Sequence, residues 1–336
     1  MIEGHGDDAY RYKHITHNFS SNIYAEMSHD ALMRHLMNHT DCIRNYPEPE
    51  SFALEQELCH LHHLPPQWAM VCNGATEAIY LIAHCFQEAR SAIVVPTFRE
   101  YQDAGQMYHH RISFCQNVRE MSPHTEVLWL CNPNNPTGET TDANTLRQMM
   151  AQHHNTLFVV DQAYSHYTNV PLLDEHDVTA HPNLIVMQSM TKQFAVPGLR
   201  IGYILAHPEV IERLRQFRMP WTVNALAIEA AHYLLEHQDD YIINREALHQ
   251  EIIRIARALE PLGITHSNTQ TNFALFALPA GMKAKHLKDY LADKHRLLIR
   301  DASNFETLND RYFRIAAQSA DANDSLIRAI QEWIHS

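Results

Sequence analysis

The chain has 336 residues, 45% of them hydrophobic and 19% charged, the make-up of a soluble globular enzyme with room for one large domain and a smaller companion. A formal charge of −13 argues against a nucleic-acid partner, whose phosphates need a basic face, and 26 histidines make that charge sensitive to mild acid. No apolar run approaches the length of a membrane span, and the start MIEGHGDDAYRYKH has no signal-peptide core, so a cytoplasmic protein is expected.

In chain order, the first forty or so residues are expected to pack against the C-terminal part. The strand-like WAMVC is followed by NGATE (73–77) and a helical pattern over 76–89. Small residues and a hydroxyl at a helix start expose backbone N–H groups to an anion, so Gly74, Ala75 and Thr76 form a candidate phosphate cradle. An ordinary cap at Thr76 accounts for the same letters. SAIVVP (91–96) is the next strand, and Phe98 beyond it can lie on an aromatic ring or simply in the core. A helix over 99–110 leads to EVLWLC (126–131) and the rigid turn NPNNPTG (132–138), whose prolines fix the Asn135 amide toward a ligand.

After a helix over 142–154, TLFVVD (156–161) ends in Asp161. A carboxylate at the exit of so apolar a strand needs a partner, and a protonated ring nitrogen is one. Tyr164, three residues on, reaches the same ligand. NLIVMQS (183–189) leads to Ser189, Thr191 and Lys192, with Arg200 just before the strand IGYILA (201–206). A lysine in a dry pocket loses its proton easily and forms Schiff bases, while an arginine beside it calls for an anion.

Continuous apolar strands separated by helices mean a mainly parallel sheet covered on both faces, with ligands at the carboxyl ends of its strands. From about residue 237 the texture changes. A helix over 239–260, the strand TNFALFAL, a helix over 283–294, strands at 296–300 and 312–317 and a last helix describe a separate α/β lobe. The expected division is a large domain over 42–236 and a small one from 1–41 plus 237–336, with an N-terminal arm.

Six cysteines never fall at C-x-x-C spacing and read as free buried thiols in a reducing compartment. The run His60, His62, His63 lacks partners at ligand spacing, so it reads as a solvated helix end and no metal is expected. No G-x-G-x-x-G follows a strand, which disfavours a nicotinamide enzyme. A lysine, an acid, a ring-stacker, an amide, a phenol and an anion cradle at successive strand exits are together what pyridoxal phosphate requires.

GATE, CNPNNPTG, DQAY and SMTKQFAVPGLRIGY resemble the cofactor motifs of fold-type-I pyridoxal-phosphate enzymes, the aspartate aminotransferase superfamily. The resemblance implies an α/β fold with a mainly parallel sheet in a large domain and a smaller α/β domain. It implies that Lys192 carries pyridoxal 5'-phosphate, Asp161 pairs with its ring nitrogen, Asn135 and Tyr164 contact its phenolic oxygen, and Phe98 stacks on the ring. Ala75, Thr76, Ser189 and Arg200 would hold the phosphate. Tyr46, in RNYPEPE, matches a tyrosine that reaches the cofactor of the neighbouring subunit, implying a homodimer with shared active sites.

DCIRNYPEPE, RMPWTVNALA and LLIRDASNFETLNDRYFRIAAQSA are similar to the threonine-phosphate decarboxylase family of cobalamin synthesis. The expected reaction is then decarboxylation of O-phospho-L-threonine. The sister family, histidinol-phosphate aminotransferase, shares the cofactor set but matches RMPWTVNALA less well. A third reading, a non-catalytic regulator on the same fold, needs a DNA-binding module for which the acidic N-terminal segment offers no basic face. The resemblance sets Arg300 and Arg314 near the substrate and has His5, Ser21 and Asn22 close over it. The chain departs from the family's His-Gly-Gly-Asn start, reading His5-Gly6-Asp7-Asp8, and NFSSNIYAEM lacks an Asn-Pro-x-Gly turn.

Overall fold

A computed structural model of the chain describes residues 8–336. A two-residue strand β1 (His17–Asn18), helix α1 (Asp30–Asn38), a short 3-10 turn (Thr40–Arg44) and helix α2 (Phe52–Leu61) precede the strand β2 (Ala69–Cys72). Alternation follows, through α3 (Gly74–Cys85), β3 (Arg90–Val94), α4 (Glu100–Met107), β4 (Arg111–Cys115), β5 (Val127–Cys131) and α5 (Ala143–Gln152). It continues with β6 (Leu157–Asp161), α6 (Glu175–Ala180), β7 (Leu184–Gln188), the single turn α7 (Met190–Gln193) and β8 (Gly202–Ala206).

These strands build one seven-stranded sheet in the order β2-β8-β7-β6-β5-β3-β4. Strands β3 to β7 pair in parallel, and β8 is antiparallel to both of its neighbours. Side chains alternate along a strand. Leu128, Leu130, Phe158, Val160 and Val186 therefore fill a core on one face, while Val127, Trp129, Val159, Ile185 and Met187 fill a core on the other. Burial on both faces is why these segments read as unbroken apolar runs. Strand β4 escaped the sequence reading because it lies at the sheet edge with Arg111, Ser113 and Phe114 exposed. An edge strand with exposed side chains on both faces keeps no continuous apolar run.

Helix α8 (Pro208–Arg215) and helix α9 (Ala225–Glu236) follow, and α9 buries Ala227, Ala230, Ala231 and Leu234 in the same core as Leu32 of α1. Then come α10 (Arg245–Leu259), β9 (Thr265–His266), β10 (Phe273–Ala277), α11 (Ala284–Tyr290), β11 (Leu297–Leu298), β12 (Arg300–Asp301), β13 (Tyr312–Ala316) and α12 (Ala320–His335). The expected helix over 239–260 starts only at Arg245, because the Asn244 side chain caps it by accepting from the Ala247 N–H at 3.1 Å. Strands β12-β13-β10-β9 form an antiparallel sheet, and β1 pairs in parallel with β11. A separate core joins Phe19 to Ile252, Phe276, Leu298's neighbour Ile299, Phe313 and Leu326.

All six cysteines are unpaired, five of them buried and Cys42 half-buried. His62 is not part of a solvated helix end: its Nε2 turns inward to lie 2.8 Å from the Tyr203 hydroxyl. Among the described residues no helix is long and apolar enough to cross a membrane.

Candidate active site

The exits of β2, β3, β5, β6 and β7 open onto a cavity of about 390 Å³. Ala75, Thr76, Phe98, Asn135, Asp161 and Tyr164 line it, with Ser189, Thr191, Lys192 and Arg200. Ser21 and Asn22 from the N-terminal segment and Arg314 from β13 complete the wall. Thirteen positions singled out in the sequence thus meet in one cavity. Gly74 lies under it, Arg300 behind Arg314 in the β12–β13 ladder, and Tyr46 elsewhere. His5 falls outside the described residues.

One end of the cavity is built for an anion. Gly74 opens α3 with φ +73°, and a Cβ there would stand 2.8 Å from Nη2 of Arg200. Only glycine lets the guanidinium settle over this turn. A Cβ on Gly202 would meet the Gln188 carbonyl at 2.7 Å and the Ala75 nitrogen at 3.2 Å, so the turn packs directly on β8. Arg200 itself is exposed, with Nη1 donating to the Pro197 carbonyl at 3.4 Å. Free N–H groups at the start of a twelve-residue helix, two hydroxyls and a guanidinium suit a phosphate.

The other end is built for a cationic ring. Asp161 is 4% exposed and sits beside Cys131 and Met187 in register. Its Oδ2 accepts from the Tyr101 hydroxyl at 2.7 Å and its Oδ1 from the Ala163 N–H at 2.9 Å. Burial lifts its pKa above the usual carboxylate range, while Tyr101, the Ala163 N–H and Lys192 pull the other way. Such an acid needs a cation to stay ionised, and a pyridinium N–H is a fitting one.

Tyr101 was not among the expected site residues. Its ring is stacked on Trp129 at 5.6 Å and meets Phe98 edge-on at 5.9 Å. Burial holds its phenol far above its ordinary pKa, so it remains a donor. The signal in the sequence was slight: a hydroxyl-bearing aromatic three residues after Phe98, on the first turn of α4. Cys131, Ala163, Ser20 and Pro197 also line the cavity and were missed.

Lys192 rides on α7, its Nζ 5.7 Å from the centroid of the Tyr164 ring. Its carbonyl accepts from the Tyr167 hydroxyl at 2.9 Å, which in turn accepts from the Tyr24 N–H at 3.0 Å. Tyr164 accepts from Nδ2 of Asn22 at 3.3 Å, and burial pushes its pKa to about 12. Arg314 donates through Nη1 to Oδ1 of Asn135 and through Nη2 to the Ser20 carbonyl at 2.5 Å. Arg300 faces Arg314 across the ladder and donates to Oδ1 of Asn304 at 2.8 Å. Burial, then Arg314, pull Arg300 down to about 10.

A parallel α/β sheet presenting a lysine, a buried acid and an anion cradle at its strand exits defines a fold-type-I pyridoxal-phosphate enzyme. The chain belongs to the aminotransferase class I and II family, whose profile matches residues 15–330. It is 32% identical to the threonine-phosphate decarboxylase of Salmonella typhimurium, over 93% of this chain and 90% of that one. The crystal structure of the L-threonine-O-3-phosphate decarboxylase from Porphyromonas gingivalis superposes with a TM-score of 0.92 and 35% identity, covering 95% of this chain and all 100% of the other. A likeness of fold extends to the histidinol-phosphate aminotransferase of Sinorhizobium meliloti in complex with pyridoxal-5'-phosphate (TM-score 0.84, 20% identity, 96% and 91% covered). Pyridoxal phosphate is the cofactor, and the donors lining the cavity fit it.

Proposed function

We propose that this chain is a pyridoxal-phosphate-dependent carboxy-lyase converting O-phospho-L-threonine to (R)-1-amino-2-propanol O-phosphate in cobalamin synthesis. Its similarity to two threonine-phosphate decarboxylases at 32% and 35% identity supports the reading. The observation that carries it is the facing pair Arg300 and Arg314, each 5% exposed, beside the cofactor cavity. A guanidinium binds a carboxylate or a phosphate dianion through paired donors, so a substrate bearing both groups suits this pair.

Once bound, the cofactor offers a cationic ring that draws electrons from whichever Cα bond stands perpendicular to it. Asp161 keeps a negative charge against the ring nitrogen, and Tyr101 with the Ala163 N–H keep Asp161 aimed. Lys192 anchors the cofactor and holds a proton ready for Cα after carbon dioxide leaves. Arg300 and Arg314 would hold the two anionic groups and so orient the substituents on Cα, which would decide whether the carboxylate or the Cα proton is lost when cofactor is bound. Ser21 and Asn22 line the cavity beside Arg314 and close off the substrate end.

A homodimer is part of this reading, with Tyr46 reaching the cofactor phosphate of the partner copy. Tyr46 is 86% exposed and lies tilted against Trp221, itself 49% exposed, with centroids 5.4 Å apart and the exposed Ile43 lining the same hollow. So much exposed apolar surface is uncommon in a monomer. A cytoplasmic setting accords with the unpaired thiols.

The test is direct. Cofactor-loaded protein given phosphothreonine, without any keto acid, should release carbon dioxide and leave a phosphorylated amino alcohol. Turnover only when 2-oxoglutarate is supplied, with glutamate as product, would replace this reading by a histidinol-phosphate-type aminotransferase.

A further inference from the structure

Away from the cavity, α1 and α9 lie side by side and carry a second cluster of ligand-type side chains. His35 on α1 and His39, the residue that caps its C-terminus, are four residues apart and their rings stack on one side. Glu229 meets them from α9. Nε2 of His35 lies 2.7 Å from Oε1 of Glu229, and Nδ1 of His39 lies 4.0 Å from the same oxygen. The two imidazoles stack with centroids 4.1 Å apart, and Tyr233 backs His35 at 4.4 Å. The three ligand atoms all lie within 4.8 Å of one another.

We infer that His35, His39 and Glu229 bind a divalent cation of the zinc type and thereby fasten α1 to α9. Two imidazoles and a carboxylate are a ligand set that such a cation takes, with water in the fourth position. Bond lengths of about 2.0–2.2 Å put tetrahedral ligands roughly 3.3 Å apart, so the 2.7 and 4.0 Å separations from Glu229 need change by less than about 1 Å, and the imidazole nitrogens, within 4.8 Å of each other, must draw together. The side chains keep 22%, 50% and 28% exposure, so an ion can enter from solvent. His39 must give up the contact of its Nδ1 with the His35 carbonyl, now 2.8 Å away, and release the proton held there. Spacing could not reveal the site, because Glu229 stands 194 positions from His35. Helix α1 runs on through Thr40–Arg44 to Tyr46, so the ion would also steady the segment that carries this tyrosine.

Full-length, cofactor-loaded protein is dialysed against zinc sulfate, washed and analysed for metal, and its thermal unfolding is followed against zinc concentration. The wild type should hold one zinc per chain beyond what the His35→Asn/His39→Asn double variant holds, and its Tm should rise saturably with zinc. His39→Asn and Glu229→Gln should each weaken zinc by more than about tenfold. His39 is half-exposed at the helix end, so that variant keeps the fold, checked by circular dichroism and cofactor absorbance. Equal zinc content and equal Tm shifts in the wild type and the double variant would overturn the site.

Discussion

The hydroxyl of Tyr101 donates to Oδ2 of Asp161 across 2.7 Å from a side chain with no solvent exposure. With the Ala163 N–H on Oδ1, it fixes both oxygens of the carboxylate that we propose faces the cofactor ring. Tyr101→Phe keeps the ring against Trp129 and Phe98 and deletes only the donor. A hydrogen bond to a charged group contributes about 1.5–3 kcal/mol, so cofactor affinity should fall roughly tenfold to a hundredfold. The turnover number should fall with it, while KM for phosphothreonine stays near the wild-type value. An unchanged cofactor dissociation constant would show that Tyr101 only packs.

Asp161 titrates in a direction that separates cofactor binding from folding. Its folded pKa lies above the unfolded value because of burial, so the protonated form is the one the cofactor-free fold favours. Its contribution to stability is therefore complete below the unfolded value and is lost as pH rises through the folded value. Asp161→Asn carries no such loss. Cofactor-free variant and wild type should diverge in Tm as pH is raised from acid to neutral, the variant falling behind less. With cofactor the order reverses, because breaking a buried charge pair costs about 3–5 kcal/mol, more than a hundredfold in affinity. Parallel pH profiles of the two cofactor-free proteins would contradict the assignment.

The pair Arg300 and Arg314 predicts a response to anions. Arg300 stays charged at neutral pH even though burial and Arg314 lower it to about 10. An anion bound between them relieves that repulsion, so inorganic phosphate should raise the Tm of the wild type saturably. Arg300→Met should abolish the shift and raise KM for phosphothreonine by about 2–5 kcal/mol of lost binding, some thirtyfold or more. Arg300→Lys should recover little, since an ammonium cannot present the forked pair of donors. A phosphate-dependent Tm shift that survives in Arg300→Met would assign the anion to Arg200 and the Gly74 turn instead.

The cofactor side of the cavity was legible in the sequence because each group follows an apolar run by a few residues. Asp161 ends a strand buried on both faces, Ser189 and Lys192 follow another, and Asn135 sits in a turn that prolines define. The chain itself carries the spacing. What was not legible depends on contacts through space. Tyr101 reaches Asp161 from a helix 60 residues earlier. Arg300 meets Arg314 only because β12 pairs with β13 in one register. Strand β4 has exposed side chains on both faces, and β8 runs against its neighbours, which no apolar pattern encodes. Tyr46 carries no local signal at all, and its role rests on resemblance and on its 86% exposure.

That exposure allows a test of the shared site that needs no structure of the dimer. Tyr46 is far too exposed to serve the cavity of its own chain, whose lining does not include it. If it completes the partner's site, Tyr46→Ala and Lys192→Ala disable different halves of one composite centre. Each homodimer should then be nearly inactive, Lys192→Ala through loss of the anchoring amine and proton donor, about 10²–10⁴-fold by that proton transfer alone. Mixed and allowed to exchange subunits, the two variants generate a heterodimer in which one of its two sites has both the native lysine and the native tyrosine. Activity should reappear on mixing, grow at the rate of subunit exchange, and vanish on dilution below the dimer dissociation constant. Activity of the mixture no greater than the sum of its parts would confine Tyr46 to the surface of its own chain and leave the cavity to a single subunit.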